Sequence, residues 1–458
     1  MESVKYRGHW WLPDKPQEAT AGDLLFSPDE GARLEILHGA LTFHGLAVHK
    51  MIHGITEEGQ SATLIECRGA QERITSMGGH KATFLVDKIL LGASFKSDES
   101  ILFDSLSIHY LQFDDWLGIS PFSAKADRNE DKSLKEYAVT YSPPPRLDFR
   151  MQDFTLSFRY DFNTKLDRCK SVINHQMYIT LNPNQPVLLE KYLFEYFYHI
   201  QNFLTLAMGM PISVTKLFGK PSMEAVIDKT EIQKVEILYS RKRTTISKQP
   251  YDRLFAVLRY SDIADCFSEC LRAWLQRSEV LSPIYNLYFS TLYNPTMYLE
   301  QQFLSLCQAL ETYHSRVFGG QYIVDNDYDI IKTALLNAIP QNTDQDLRIS
   351  LTSRLKYGNQ FSLRKRLLIL LNNFPEVKGK IIRNDELFVN DVVDTRNYYT
   401  HYSKELEAKA KTRHELFKLV EILRFVLEVL LLREIGIADD KISANFLSRQ
   451  RYARLINE

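Results

Sequence analysis

The sequence predicts an α+β chain, with a β-rich, sandwich-like N-terminal domain followed by an all-α C-terminal helical bundle. Three observations predict it. Up to about residue 183, apolar and β-branched residues come in short runs broken by Gly, Asp or Ser. At Gln185 the apolar spacing becomes helical. From Tyr251 it stays helical almost to the C-terminus. A chain of 458 residues has room for domains of roughly 100–200 residues each. The change of pattern places one over 1–280 and the other over 291–458.

Strands are predicted over Arg33–Leu37, Leu41–Val48, Ala62–Cys67, Ala82–Leu91, Ile101–Leu111, Phe154–Tyr160 and Met177–Leu181. Their order in a sheet is not legible. Ser123 to Lys135 is charged and has little period, and Ser142 to Pro145 is a stiff break. Leu188, Leu189, Tyr192, Leu193, Tyr196, Phe197, Ile200 and Phe203 predict one long helix within 185–208. Gly209 and Pro211 end it. Strands follow at Ser213–Leu217 and Val235–Tyr239, then a basic hairpin tip, Arg241-Lys242-Arg243. The run from Tyr251 to Gln276 opens a helical connector over 251–290, with breaks at Ser282-Pro283 and Asn294-Pro295. Further helices are predicted at Met297–Phe318, Tyr328–Ala338, Asp346–Lys356, Ser362–Asn372, Asp385–Tyr402, Thr412–Ile435 and Asp439–Leu455. The loops between them are short, which favours antiparallel neighbours in a bundle.

Composition excludes several classes. A formal net charge of −1 gives no global basic field, so any nucleic-acid surface is a local patch. The five cysteines, at 67, 169, 266, 270 and 307, show no paired spacing. They read as core thiols of a reducing compartment, and the expected location is the cytoplasm. No apolar signal segment opens the chain. The apolar run Leu416–Leu432 is broken by Lys418, Glu421, Arg424 and Glu428, so it reads as a buried helix and no membrane partner is expected. His38, His44, His49 and His53 precede Cys67 but match no zinc spacing, and Gly78-Gly79-His80-Lys81 lacks the spacing of a phosphate loop. No metal and no cofactor are expected.

One stretch offers chemistry. Asp394-Thr395-Arg396-Asn397-Tyr398-Tyr399-Thr400-His401-Tyr402 supplies a permanent cation, an amide and a group that titrates near neutral pH. The spacing alone carries little weight. Arg followed by His after four to six residues also occurs at Arg33/His38, Arg73/His80 and Arg168/His175. Only Arg396/His401 lies within a helical array. On a regular helix Asn397 and His401 share a face, while Arg396 points roughly 140° away from His401. Three readings follow. The helix starts inside the motif, the long arginine reaches round, or Arg396 has a structural partner such as Glu311. Upstream, Arg364, Lys365, Arg366, Lys378, Lys380 and Arg383 form a basic cluster, readable as an RNA-binding patch or as a solvated helix end.

The segment 296–435 resembles the HEPN superfamily, and within it the ApeA-like group. Phe303-Leu-Ser-Leu-Cys-Gln-Ala-Leu-Glu311-Thr-Tyr313-His is similar to that family's first core helix, and Arg396-Asn397-Tyr-Tyr-Thr-His401 to its signature. The N-terminal region resembles the domain that accompanies such modules, through Gly8-His-Trp10-Trp11-Leu12-Pro13, Leu90-Leu91-Gly92-Ala93 and Asp114-Asp115-Trp116-Leu117. The resemblance implies a dimer-forming helical domain that cuts RNA without a metal, in an anti-phage, abortive-infection type of system. It implies Arg396 and His401 as catalytic, Asn397 and Glu311 as supporting, and a homodimer through the helical domain. It further implies a phage-derived or cellular trigger at the N-terminal domain. The alternatives are a non-catalytic interaction module, or nucleotidylation of Tyr398, Tyr399 or Tyr402 by a partner transferase.

Overall fold

A computed structural model describes residues 1–36, 41, 48–74, 80–227, 234–240, 250–447 and 450–457. The chain forms two compact units. The first is Met1–Arg253 with Leu258–Ser268, and the second is Leu254–Val257 with Glu269–Glu458.

The first unit is β-rich, as the sequence predicts, and the topology that the sequence leaves unread is a barrel with an extended wing. Six strands close the barrel: β1 (Val4–Trp11), β2 (Thr20–Ser27), β3 (Gly31–Ile36), β4 (Val48–Thr56), β5 (Ser61–Ile74) and β6 (His80–Val86). Around the ring, β1 pairs with β2, β2 with β3, β3 with β6, β6 with β5, β5 with β4 and β4 with β1, all antiparallel. Alternate residues point inward. Trp10, Leu24, Phe26, Leu34, Ile52, Leu64 and Phe84 fill the interior. Trp10 donates from Nε1 to the Gly22 carbonyl at 3.1 Å, and its ring lies against Gly54, where a Cβ would stand 2.2 Å from ring carbon Cε3. Only glycine leaves that space.

The barrel opens into the wing at Glu66. This residue takes a left-handed φ of 52°. Before it β5 pairs with β7 (Lys88–Leu91), and after it with β6. The wing adds β8 (Leu102–Tyr110), a hairpin of β9 (Phe122–Arg128) and β10 (Leu134–Tyr141), and then β11 (Leu147–Arg150), β12 (Phe154–Leu166), β13 (Ser171–Pro183), β14 (Val187–Leu188), β15 (Val214–Pro221) and β16 (Val235–Tyr239). From β7 the sheet continues β16–β15–β8–β13–β12–β11. Asp114, in the short helix α1 (Phe113–Leu117), ties strands together. It faces His109 Nε2 at 3.0 Å and accepts from the Met177 amide at 2.8 Å. Trp116 donates to the Leu258 carbonyl at 2.8 Å. The Asp-Asp-Trp stretch is thus a structural joint.

Several elements differ from the sequence reading. Residues 123–135 belong to the β9–β10 hairpin, whose residues are exposed up to Tyr141. Alternating hydrophobicity marks a strand only where one face is buried. The helix expected within 185–208 begins with a bridge to β8 and passes through a π-type turn at Tyr192–Tyr196. Only α2 (Phe197–Met208) is regular. The expected break at Ser282-Pro283 is absent, and α3 (Phe267–Tyr293) runs through Pro283. An interior proline costs about 3 kcal/mol. Burial of Leu281, Ile284, Tyr285, Tyr288 and Phe289 on both flanks offsets it, with Trp274 stacked on Tyr285 at 4.1 Å. Most of the predicted strand Leu41–Val48, the basic Arg241–Arg243 and the Gly78-Gly79 pair lie outside the described residues.

The second unit is helical: α4 (Leu299–Phe318), α5 (Asp325–Asn337), α6 (Gln345–Lys356), α7 (Leu363–Asn372), α8 (Asp385–His401), α9 (Arg413–Glu434), α10 (Asp439–Leu447) and α11 (Gln450–Asn457). Helix α4 packs against α7, α8 and α9 and is the centre of the bundle. Helix α9 is buried nearly all round from Leu416 to Leu432. Within it Glu428 is fully buried and its carboxylate is saturated by the Tyr288 hydroxyl at 2.6 Å, Arg451 Nη2 at 2.7 Å and the Tyr452 hydroxyl. The C-terminal helix is thereby clamped to the core. No helix among the described residues is long and apolar enough to cross a membrane.

Two variants test these packing claims. Gly54→Ala drives a methyl into Trp10 and is expected to destabilise the chain by about 1–3 kcal/mol or more, measured by urea unfolding. Glu428→Ala leaves the Arg451 guanidinium buried without its counter-charge. It is expected to cost about 3–5 kcal/mol in the same measurement, against little for an exposed control such as Glu405→Ala.

Candidate active site at the end of helix α8

Helix α8 begins where Asn384 caps it, its side chain accepting from the Leu387 amide at 3.0 Å, and Asp385 and Glu386 fill the first turn. Phe388, Val389, Val392, Thr395 and Tyr399 form its buried stripe. The helix ends at His401, and Tyr402 turns the chain with a left-handed φ of 50°. A non-glycine residue there costs about 1–2 kcal/mol. Ring contacts with Tyr398 at 5.4 Å and Tyr399 at 6.1 Å accompany the turn.

The chain then returns along its own helix. The Lys411 amide donates to Thr395 Oγ1 at 3.0 Å, and the Tyr399 hydroxyl donates to the Lys411 carbonyl at 3.2 Å. Lys411 Nζ reaches Asp391 at 3.4 Å. A second left-handed residue, Arg413 with φ 51°, leads into α9. The segment 402–413 is therefore pinned at its far end on the buried side of α8, and His401 stands exposed on the other.

The helix starts eleven residues before Arg396, so a helix start inside the motif is ruled out. Arg396 flanks the buried stripe. Its Nη1 donates to Asn397 Oδ1 at 3.2 Å, and that residue shares the His401 face. The structural partner considered for it, Glu311, makes no ion pair within 4.0 Å of it among the described residues. Both residues act instead on Cys307. Burial pushes that thiol well above its ordinary range, Arg396 opposes the rise and Glu311 adds to it. Arg396 thus makes one side-chain hydrogen bond, to Asn397, and no ion pair among the described residues.

The basic cluster divides. Arg366 is 4% exposed; it donates from Nε to the Phe361 carbonyl and from Nη1 to the Gly319 carbonyl, each at 3.0 Å, and Nη1 meets His314 Nδ1 at 3.1 Å. Lys378 is buried against Asp385. Neither is available to a phosphate, and the RNA-binding reading is corrected for both. Lys365 lies over the rings of Phe361 at 4.0 Å and Tyr322 at 4.3 Å. Arg364 bonds Asn390, seven residues before Asn397 on α8, and is exposed, as are Lys380 and Arg383. In the first unit, His53 Nε2 meets the Phe95 carbonyl at 2.9 Å, and burial lowers its pKa. No group of three metal-capable residues forms among the described residues; His38 and His44 lie outside them.

Comparison with known families follows from this geometry. Residues 5–274 match the model described as ApeA N-terminal domain 1, and residues 304–441 match the Apea-like HEPN model. The chain belongs to the ApeA family. Its helical unit is an Apea-like HEPN domain, and the Arg396–His401 stretch lies within that match. No curated protein and no solved structure matches the chain. The sequence reading missed the Thr395/Tyr399–Lys411 anchor and the two left-handed turns. Neither has a periodic signal, because each depends on one side chain meeting one backbone group.

The split of the cluster is testable by mutation. Arg366→Ala removes three buried contacts and is expected to lower the melting temperature by several degrees. Arg364→Ala, Lys380→Ala and Arg383→Ala are expected to leave it within about a degree, measured by differential scanning fluorimetry.

Proposed function

We propose that this ApeA-family chain is an endoribonuclease that cuts RNA without a metal, with Arg396 and His401 as the catalytic pair. The observation that carries the reading is the exposed imidazole of His401 at the end of α8, one turn beyond Asn397, whose side chain accepts from the Arg396 guanidinium. The Apea-like HEPN match supports the same class of activity.

Cleavage requires a base for the 2′-OH, charge stabilisation on the phosphorane and an acid for the departing 5′-oxygen. The 2′-oxygen bonds to phosphorus as the P–O5′ bond breaks, giving a cyclic phosphate and a free 5′-OH. A neutral histidine takes the first proton and a protonated one gives the second, each typically worth about 10²–10⁴-fold. Arg396 binds non-bridging oxygens with its planar fork and keeps its charge throughout. Each chain supplies one histidine in the motif, so two copies around one phosphodiester supply base and acid. DNA, lacking the 2′-OH, is not a substrate. Asn397 orients Arg396, and Glu311 is the supporting acidic residue on the first core helix of the match. Arg364, Lys380 and Arg383 are the cations left to hold the RNA backbone. In this reading the N-terminal unit restrains the nuclease until a phage-derived or cellular trigger binds, and the enzyme serves an abortive-infection type of defence from the cytoplasm.

The test is incubation of the purified chain with total RNA in EDTA, followed by mapping of the new ends. Wild type is expected to leave cyclic-phosphate or 2′/3′-phosphate ends. His401→Ala is expected to lose at least about 100-fold of the rate, and Arg396→Lys to lose the bidentate contact and most of the rate, with unchanged circular dichroism. A wild-type protein that cuts no RNA under any trigger tested would favour the non-catalytic interaction module.

A further inference from the structure

An aromatic ring is held out to solvent beside the start of α7. Tyr322 is 50% exposed, yet its backbone is fixed on both flanks. Its amide donates to the Asn359 carbonyl at 2.9 Å, and the Phe361 amide donates to the Gly320 carbonyl at 2.8 Å. The buried Asn359 side chain accepts from the Ile323 amide at 3.1 Å and donates to the Ile323 carbonyl at 2.8 Å. Phe361 meets the Tyr322 ring edge to face at 4.9 Å and lies 6.0 Å from the buried His314 ring. The segment that carries Tyr322 is thus stapled down, and half of the residue still faces water.

Two cations stand beside it. Arg364 and Lys365 occupy the first turn of α7, which contains no acidic residue, although the helix dipole disfavours cations there. Neither has a carboxylate within 4.0 Å among the described residues. Lys365 Nζ lies 4.3 Å from the Tyr322 ring centre and 4.0 Å from that of Phe361. Arg364 bonds Asn390. Asn390 stands seven residues before Asn397 and eleven before His401, spacings that return to one side of a helix. The three residues therefore line the side of α8 opposite its buried stripe, with Asn390 about 16 Å along the axis from His401. Asp394 shares that side and repels phosphate between the two ends. We propose that Tyr322 and Lys365 form a stacking platform for one base of single-stranded RNA, a few nucleotides from the bond cut at His401, with Arg364 on the neighbouring phosphate. The identity of the strand rests on the nuclease reading. Stacking on a ring requires a base freed from pairing and accepts any base, while the cations hold the backbone. The platform therefore selects unpaired RNA without reading its sequence.

The test uses the full chain and a labelled single-stranded RNA of about 12 nucleotides whose 2′-oxygens are methylated, so that it binds but is not cut. Fluorescence anisotropy measures the affinity. Tyr322→Ala is expected to weaken binding at least about fivefold, and Tyr322→Trp to keep it. Lys365→Ala is expected to weaken it and to lessen its dependence on salt by about one counterion. A duplex of the same sequence is expected to bind more weakly than the single strand. Should Tyr322→Ala lose its helical signal, a thiouridine probe photo-crosslinked to the wild-type chain provides the second reading, with the label expected on the peptide that carries Tyr322. Equal binding by wild type and Tyr322→Ala overturns the proposal, as does a duplex bound as tightly as the single strand, a chain that binds neither, or a label that misses that peptide. Tyr322-dependent binding by a chain that cuts no unmodified RNA leaves the platform standing and refutes the catalytic reading alone.

Discussion

The site depends on where the chain goes after α8. Thr395 is fully buried in the middle of that helix, yet its hydroxyl accepts a hydrogen bond from Lys411, sixteen residues later. Tyr399 closes the same joint from one turn further on. A buried amide without a partner costs about 1–3 kcal/mol, so the pairing holds the returning segment to one place. The segment is thereby drawn to the buried face of α8, and the histidine face is left to solvent. A helix that buried both faces would leave no reactive imidazole, and one that buried neither would not stay in the bundle.

The left-handed residue at Tyr402 is the counterpart of that anchor. A regular continuation of α8 would carry the chain outward past His401. Turning at once, at a cost of about 1–2 kcal/mol, lets the return begin on the next residue. The rings of Tyr398, Tyr399 and Tyr402 lie within 5.1 to 6.1 Å of one another there, and such contacts contribute about 0.5–1.5 kcal/mol each. Strain and aromatic packing are of the same order, so the rings offset the turn while the Lys411 anchor and the Phe303 ring hold Tyr399 in place.

Much of this was legible in the sequence, and the boundary of legibility is physical. Helices α4, α7 and α8 each bury one face against a neighbour, and their 3.6-residue period exposes them to reading, while α9 is legible as a long apolar run. The hairpin β9–β10 buries neither face and leaves no period. Pro283 is a local signal for a break, and it loses to the aromatic packing on either side of it. The barrel was hidden because closure is a property of partners: β5 changes partner at Glu66, and nothing in a single strand announces that. In the site, the residue types and their spacing were legible in Arg396, Asn397 and His401. The direction of the arginine was not, since it depends on a hydrogen bond to its neighbour. The basic cluster misled for the same reason. Arg366 and Lys378 look like Arg364 and Lys380 in sequence, and only burial separates a cation that closes a carbonyl cage from one that faces water.

That separation bears on how a chain with a net charge of −1 can hold a polyanion. Phosphate affinity comes from the few cations whose charge is not already neutralised. Along α8 these are Arg396 near its end and Arg364, Lys380 and Arg383 toward its start, none of which has a carboxylate within 4.0 Å among the described residues. One bundle therefore carries a small positive patch and a single motif histidine. Both shortages are removed by the same step. In the proposed nuclease, pairing two bundles around one phosphodiester would double the charge there and supply the second imidazole. Loss of such a pairing would silence the site without altering any residue in it.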